Sequence, residues 1–547
     1  MDARRRTLLK LSPFAITAAT TTIGHAALAE APAVAQDATF NVRTFGATGD
    51  GKTVDTPAIN QAIEAVAAAG GGVLIFPAGV YVCFTIRLRS RVDLYLSRGC
   101  TILAADSPKP GETTGYRGGV YDDAGPAQPW EAYQDYGHNH WANSLFYGEG
   151  LHDFSILGPG LIHGKGLAHG TASTRAGYDN FVAEQAGVGN KTIALKNCHH
   201  VLLRDFSVLH GGHFAVLATG VDNLTLDNLL IDTERDGFDI DCCHNVRVSN
   251  CTVNSPSDDA ICPKSSYALG YARTTENVTI ANCFVTGAYE LGSVVDGTWK
   301  KSAKGRGNGR IKCGTESNGG FRNIAISNCV CEGSKGIALE TADGALIEDI
   351  AISNITLRDT DDIPIFLRLG RRNRGPVETM RPGCLRRVLV SNVVSYNATS
   401  NAAAILSGIP SNLIEDVKFN NCYFENAGLP TTFGSGGNTK PFPDWRTIQT
   451  PETEDGYPDP SRFGPTPSKG FFVRHLKNLE MAHVEIASST PDPRPAFWLE
   501  DVHRADFFAI TAPPQANFAL RHVSDLRIFW SRAAKDTTID TVVDRTI

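Results

Sequence analysis

Beyond its N-terminal 30 or so residues the chain has no apolar run approaching the 18 needed to cross a bilayer, so no later segment is expected to span a membrane. It has no C-x-x-C pair, which removes the commonest zinc framework. Two-residue hairpin turns at the 8 to 12 residue spacing of a β-sandwich are also scarce. There is no basic excess: the formal charge is −7, which gives no reason to expect nucleic acid or an anionic membrane as partner, although an acidic polymer could still enter a locally basic cleft.

Thirteen cysteines are present, and Cys198, Cys251, Cys283, Cys329 and Cys422 each follow an Asn in the same strand context. That recurrence suits small apolar fillers stacked inside a solenoid better than a disulfide framework. The N-terminus reads as an address. Arg4, Arg5 and Arg6 precede TLLK, and a mildly apolar run from Leu11 to Leu28 leads to ALA and AVA cleavage signals. Residues 1–35 are therefore expected to be a twin-arginine-type signal, and the mature protein to be exported, periplasmic or secreted.

Residues 36–547 are expected to form one domain. A polar residue followed by alternating apolar residues recurs from His200, Asn223, Asn245, Asn277, Asn323, Asp349, Arg387, Asp416 and Asn478, with start-to-start gaps of 23, 22, 32, 46, 26, 38, 29 and 62 residues. A floor near 22 with longer gaps is one solenoid coil plus insertions. The fold class expected is all-β: a single-stranded right-handed parallel β-helix with long inserted loops. An amphipathic helix with Thr56 as N-cap and Pro57 in its first turn, burying Ile59, Ala62, Ile63 and Val66, would cover the open end. Three irregular stretches stand out, residues 105–150, 164–191 and 426–470. The first is rich in aromatics that could stack on sugar faces or pack the loop down.

The chemistry concentrates between Asp232 and Ser265. Asp236, Asp239, Asp241, Asp258 and Asp259 flank one alternating strand, and the 22 residues from Asp236 to Asp258 would stack those two carboxylates on adjacent coils, roughly 5 Å apart. Clustered carboxylates raise one another's pKa, which leaves one protonated as an acid while another stays ionised as a base. Arg310 and Lys312, one strand residue apart, share a face and suit a carboxylate. His210 and His213, one coil before Asp236, could reach the same groove.

GATGDGKT, RDGFDID, DDAICPKS and GRIK, in that order, resemble the polygalacturonase-type glycoside hydrolases of family 28 from about Asn41 to about Gly370. The resemblance implies hydrolysis of pectic polysaccharide with inversion, by a monomer that needs no cofactor or metal and takes an acidic plant polysaccharide as partner. By position, Asp258 would be the general acid, Asp236 and Asp259 would activate water, and Arg310 and Lys312 would hold a uronate carboxylate; His213 is a further substrate-binding candidate. Two departures matter: the family's Asn-Thr-Asp is Glu234-Arg235-Asp236 here, and its Gly-His-Gly histidine falls on Gly287, which would open space beside the acid. The rhamnogalacturonan-cleaving branch also lacks that histidine, and exo-acting galacturonidases belong to the same family. From other classes, a Ca-dependent pectate lyase or a non-catalytic β-helix remain as alternatives.

Overall fold

The computed structural model describes residues 38–135, 137–168, 185–399, 402–433 and 439–547. The expected signal segment, Tyr136 and most of the second irregular stretch lie outside them. The described strands join into one 35-stranded network, almost entirely parallel, whose partners lie one coil apart in sequence. This is the expected parallel β-helix.

The face that carries the chemistry is a column of twelve strands. In chain order these are β1 (Ser144–Glu149), β2 (Lys191–Lys196), β3 (Phe214–Thr219), β4 (Asp236–Asp241), β5 (Ile261–Lys264), β6 (Ile311–Cys313), β7 (Ile337–Thr341), β8 (Ile365–Leu369), β9 (Ala404–Ser407), β10 (Phe471–Ser488), β11 (Phe497–Phe508) and β12 (Phe518–Phe529). Each pairs in parallel with the next. Alternation sends every second side chain inward, so Phe238, Ile261, Ile311, Ile337 and Ile365 form one buried ladder. A second ladder, Val246, Val278, Ile324, Ile350, Val388 and Val417, lines the neighbouring face. Each such side chain contributes about 1.5–3 kcal/mol on burial, and the stacking makes that gain repeat with every coil.

The repeat has a backbone cause. All nine residues that open it, from His200 to Asn478, have φ between 54° and 62°. The position five residues on is left-handed too and is Asn in seven of the nine, a residue that tolerates that conformation better than most with a side chain. Asn250, Asn282, Asn328, Asn354, Asn392 and Asn421 then stack, each donating its amide to the one below at 2.8–3.4 Å. The cysteines that follow them point inward and are buried as free thiols, as expected of fillers.

Helix α1 (Thr56–Ala68) buries Ile59, Ala62, Ile63 and Val66 over the first coil. The cap differs from expectation. Asp55, not Thr56, occupies the N-cap, and its carboxylate turns back to accept from the Thr48 and Gly49 amides at 2.7 and 3.0 Å, while Thr56 Oγ1 accepts from Phe84 N. The GATGDG loop, already short of backbone partners, wins that carboxylate. At the other end, Thr537–Thr546 returns antiparallel on β12.

The long loops pack onto the outer surface of the β1–β12 column. Trp141 is buried against Ala194, Phe214 and Leu217, with Nε1 donating to Thr219 Oγ1, and Trp130 Nε1 donates to Ala268 O. Tyr121 is also buried, so it and Trp141 hold the first loop down, while Tyr116 is 78% exposed. The third loop lies over Phe366, Phe472 and Trp498 through Phe463 and Trp445. Buried Arg368 and Arg474 clamp it by donating to the carbonyls of Thr450, Pro451, Glu452 and Thr453.

Candidate active site

Between those two loops, the β4–β6 rungs carry the expected carboxylates. Phe238 pairs with Ile261, so Asp236 lies one rung from Asp259, 23 residues on, and the expected 22-residue stacking on Asp258 is off by one. Asp258 instead occupies the turn before β5. Ser255 Oγ donates to Asp258 O and Arg235 O, and Gly309 N donates to Asp258 O. The turn still brings all three together: one oxygen from each of Asp236, Asp258 and Asp259 lies within 4.8 Å of the others.

Arg310 and Lys312 project to the same side of β6, as expected, but the group they hold is internal. Arg310 Nε reaches Asp259 Oδ1 at 2.6 Å and Lys312 Nζ reaches Oδ2 at 2.5 Å, with both cations about 3% exposed. Burial pushes the Asp259 carboxyl up, yet the two cations outweigh it and hold the group well below the usual carboxylate range. Asp236 goes the other way. Burial first, and the adjacent charge of Asp258 second, push it up to about 7. Asp258 is the most open of the three, with 26% of its side chain exposed, and Arg235 Nη2 sits 2.8 Å from its Oδ2. The cluster is compact enough for a shared cation, but both oxygens of Asp259 already face a nitrogen of this chain.

Several contributors were not singled out by the sequence. Buried Lys264 lies 3.8 Å from Asp239; burial alone would lower its pKa, but Asp239 and Asp236 outweigh that and keep it raised and charged. Glu340 backs Arg310 at 3.8 Å. From the third loop, Tyr457 stands beside Lys312 and Thr315, with Arg372 over its ring at 5.8 Å. A residue far along the chain thus reaches the basic pair. Glu234 contacts His210, whose pKa is raised by that hydrogen bond, so the Glu-Arg-Asp departure is structured on both sides.

Two expectations fail on packing. His213 is 2% exposed, edge-on to Phe214 at 4.4 Å and directly under Gly137 of the first loop, so it is not open to a ligand. Gly287 opens no space: a Cβ there would stand 2.7 Å from Gly307 C and 2.8 Å from Asn308 N. A loop backbone fills the position, and glycine is required for the approach.

The fold and site together define a parallel β-helix with an acid cluster braced by cations. Residues 39–95 match the family described as rhamnogalacturonase A/epimerase, pectate lyase-like. A probable polygalacturonase of Vitis vinifera is 23% identical over 330 residues, 57% of this chain and 60% of that protein, so the chain spans less than two thirds of it. An exo-poly-alpha-D-galacturonosidase of Dickeya chrysanthemi is 20% identical over 475 residues, 73% of each chain. Among solved structures, the Yersinia enterocolitica family 28 exopolygalacturonase superposes with a TM-score of 0.58 at 16% identity, over 86% of this chain and 78% of that one. The resemblance carried by the four sequence motifs is thus met again in the fold and in relatives matched over most of the chain.

Proposed function

We propose that the protein is a glycoside hydrolase that cleaves galacturonate-containing pectic polysaccharide by single displacement. The observation that carries this is the three carboxylates gathered within 4.8 Å, with Asp259 held by Arg310 and Lys312 and Asp236, one rung away, raised to about 7. Asp258, the most exposed of the three, is the member placed to protonate the leaving oxygen. Asp259 takes a proton from the attacking water. Because both of its oxygens are held by Arg310 and Lys312, it is poorly placed to turn and attack carbon itself.

The oxygens lie nearer the roughly 5–5.5 Å spacing of retaining enzymes than the 6.5–9.5 Å of inverting ones, so the proposal of inversion rests on that immobilised Asp259. Proton NMR of the first-formed anomer tests it: α-configured product from an α-linked substrate would overturn single displacement. An elimination mechanism is less favoured, since Arg310, the arginine nearest the cluster's base, is already paired.

Loops cover the column on both flanks of the cluster, which favours attack at a chain end, as in the exo-acting Dickeya relative. Release of mono- or disaccharide without an early fall in viscosity supports this reading; a ladder of long products opposes it. Rhamnogalacturonan remains the alternative substrate, and the side-by-side product profile on the two polymers separates them. The RRTLLK segment supports export by a twin-arginine route. Replacing Arg5 and Arg6 by Lys should then leave precursor in the cytoplasm.

A further inference from the structure

On the face lined inside by the ladder from Val246 to Val417, the residue before the closing left-handed position is small or polar on coil after coil. Ala281, Ser327, Ser353, Ser391, Asn420 and Ala482 occupy that place in register. In the last two coils it is taken by Phe508 and Phe529, the final residues of β11 and β12, which stay 41% and 40% exposed. The adjoining column changes with it. Its left-handed position, Asn in the middle coils, becomes His483, Ala509 and finally Trp530, with φ of 53°, 53° and 54°. A ring as bulky as indole is strained in that conformation, where Asn is not. Trp530 gains little burial in exchange, being 79% exposed.

The rings form one corner. Phe508 lies against Trp530 with centroids 5.9 Å apart and planes 28° from parallel, and His483 meets Phe508 edge-on at 5.7 Å. One face of the indole is therefore covered and the other is bare. The rings do not close the solenoid, since Thr537–Thr546 covers the last coil by lying antiparallel on β12. The turn between them is fixed by Trp530 N, which donates to Asp536 Oδ1 at 2.8 Å. That turn also exposes Arg532 and Lys535, and among the described residues neither forms an ion pair.

We propose that this corner is a second, non-catalytic binding site, where a sugar ring of an acidic polysaccharide stacks on the bare face of Trp530 while Arg532 and Lys535 attract its carboxylates. The occupant's class rests on the proposed function. A flat apolar ring edged by exposed cations matches a chain that is apolar on its ring faces and anionic at its rim. The corner lies seven rungs beyond β5, roughly 34 Å along the axis from the Asp258 turn, so it holds polymer without entering the cleavage site.

The test is retardation of the Asp258→Asn protein in native gels containing polygalacturonate, with and without Trp530→Asn. Asn is the residue this column carries in earlier coils, so the variant should melt no lower than its parent and yet bind the polymer about tenfold more weakly. Trp530→Tyr should keep most of the affinity. Arg532→Gln combined with Lys535→Gln should also weaken binding, by a factor that shrinks as salt is raised. Equal retardation of the parent and Trp530→Asn overturns the site. So does a change from dimer to monomer on sedimentation with polymer binding unaltered, which would make the corner a contact between two copies. Binding is read without cleavage, so a protein that hydrolyses no galacturonide overturns the proposed function instead, and the retardation comparison still decides the site.

Discussion

Asp236 and Asp259 occupy adjacent rungs of the catalytic face and are driven in opposite directions, the first up to about 7 by burial and by Asp258, the second down by Arg310 and Lys312. The raised group has a consequence for stability. Between about pH 4, where an unfolded aspartate ionises, and pH 7, the native state keeps a proton that the unfolded state releases, so this residue's contribution falls as pH rises through that window. Asp236→Asn should therefore abolish activity and yet raise Tm above pH 7, by an amount equivalent to at most about 4 kcal/mol, with the gain fading below pH 4. Thermal unfolding of both proteins at pH 4 and pH 8 checks it, and a variant less stable at both would contradict the raised pKa.

Asp258 is the carboxyl that can reach a leaving oxygen, since the other two are nearly enclosed. Protonation of that oxygen contributes about 10²–10⁴-fold. Asp258→Asn should lower kcat by that range with little change in Tm, the side chain being partly exposed. Wild-type turnover in a folded variant would remove Asp258 as the acid.

The sequence made the solenoid legible because each opening residue of the repeat is a left-handed position that tolerates few side chains, and the inward alternation follows from it. The acid cluster was legible for the same reason, being bound to the repeat. The register was not: a turn absorbs one residue between Asp236 and β5, and counting coils cannot see a turn. Nor could Gly287 be read, since whether a missing side chain leaves space depends on a loop more than fifteen residues away. The roles of Arg310 and Lys312 were half legible: their shared face follows from strand period, but their partner Asp259 follows from depth.

Restoring a histidine at Gly287 would then fail. The added Cβ meets the Gly307 and Asn308 backbone at 2.7–2.8 Å, and that backbone holds the Asp258 turn through Gly309. Gly287→His, and even Gly287→Ala, should destabilise the protein by about 1–3 kcal/mol and lower kcat, measured by thermal unfolding and by turnover on oligogalacturonate. Higher activity in either variant would show that the loop yields and that the space is real.

Lys312 offers the sharpest separation of holding the base from holding the substrate. Its ammonium is 2.5 Å from Asp259 Oδ2, with Arg310 on the other oxygen, so Lys312→Met leaves one cation where two opposed the cost of burial. The base must be ionised to work, and kcat/KM falls as pH drops through its pKa. With one cation gone that pKa rises, so the acidic limb of the profile should move to higher pH, by about one unit or more, with the loss confined to the acid end of the profile. If Lys312 served only a substrate carboxylate, the loss would instead be in KM, and inhibition by galacturonate would weaken by the roughly tenfold or more expected of a lost charge-assisted contact. A shifted acidic limb with unchanged product inhibition supports the internal role; an unshifted limb with weakened inhibition would overturn it and return Lys312 to the substrate.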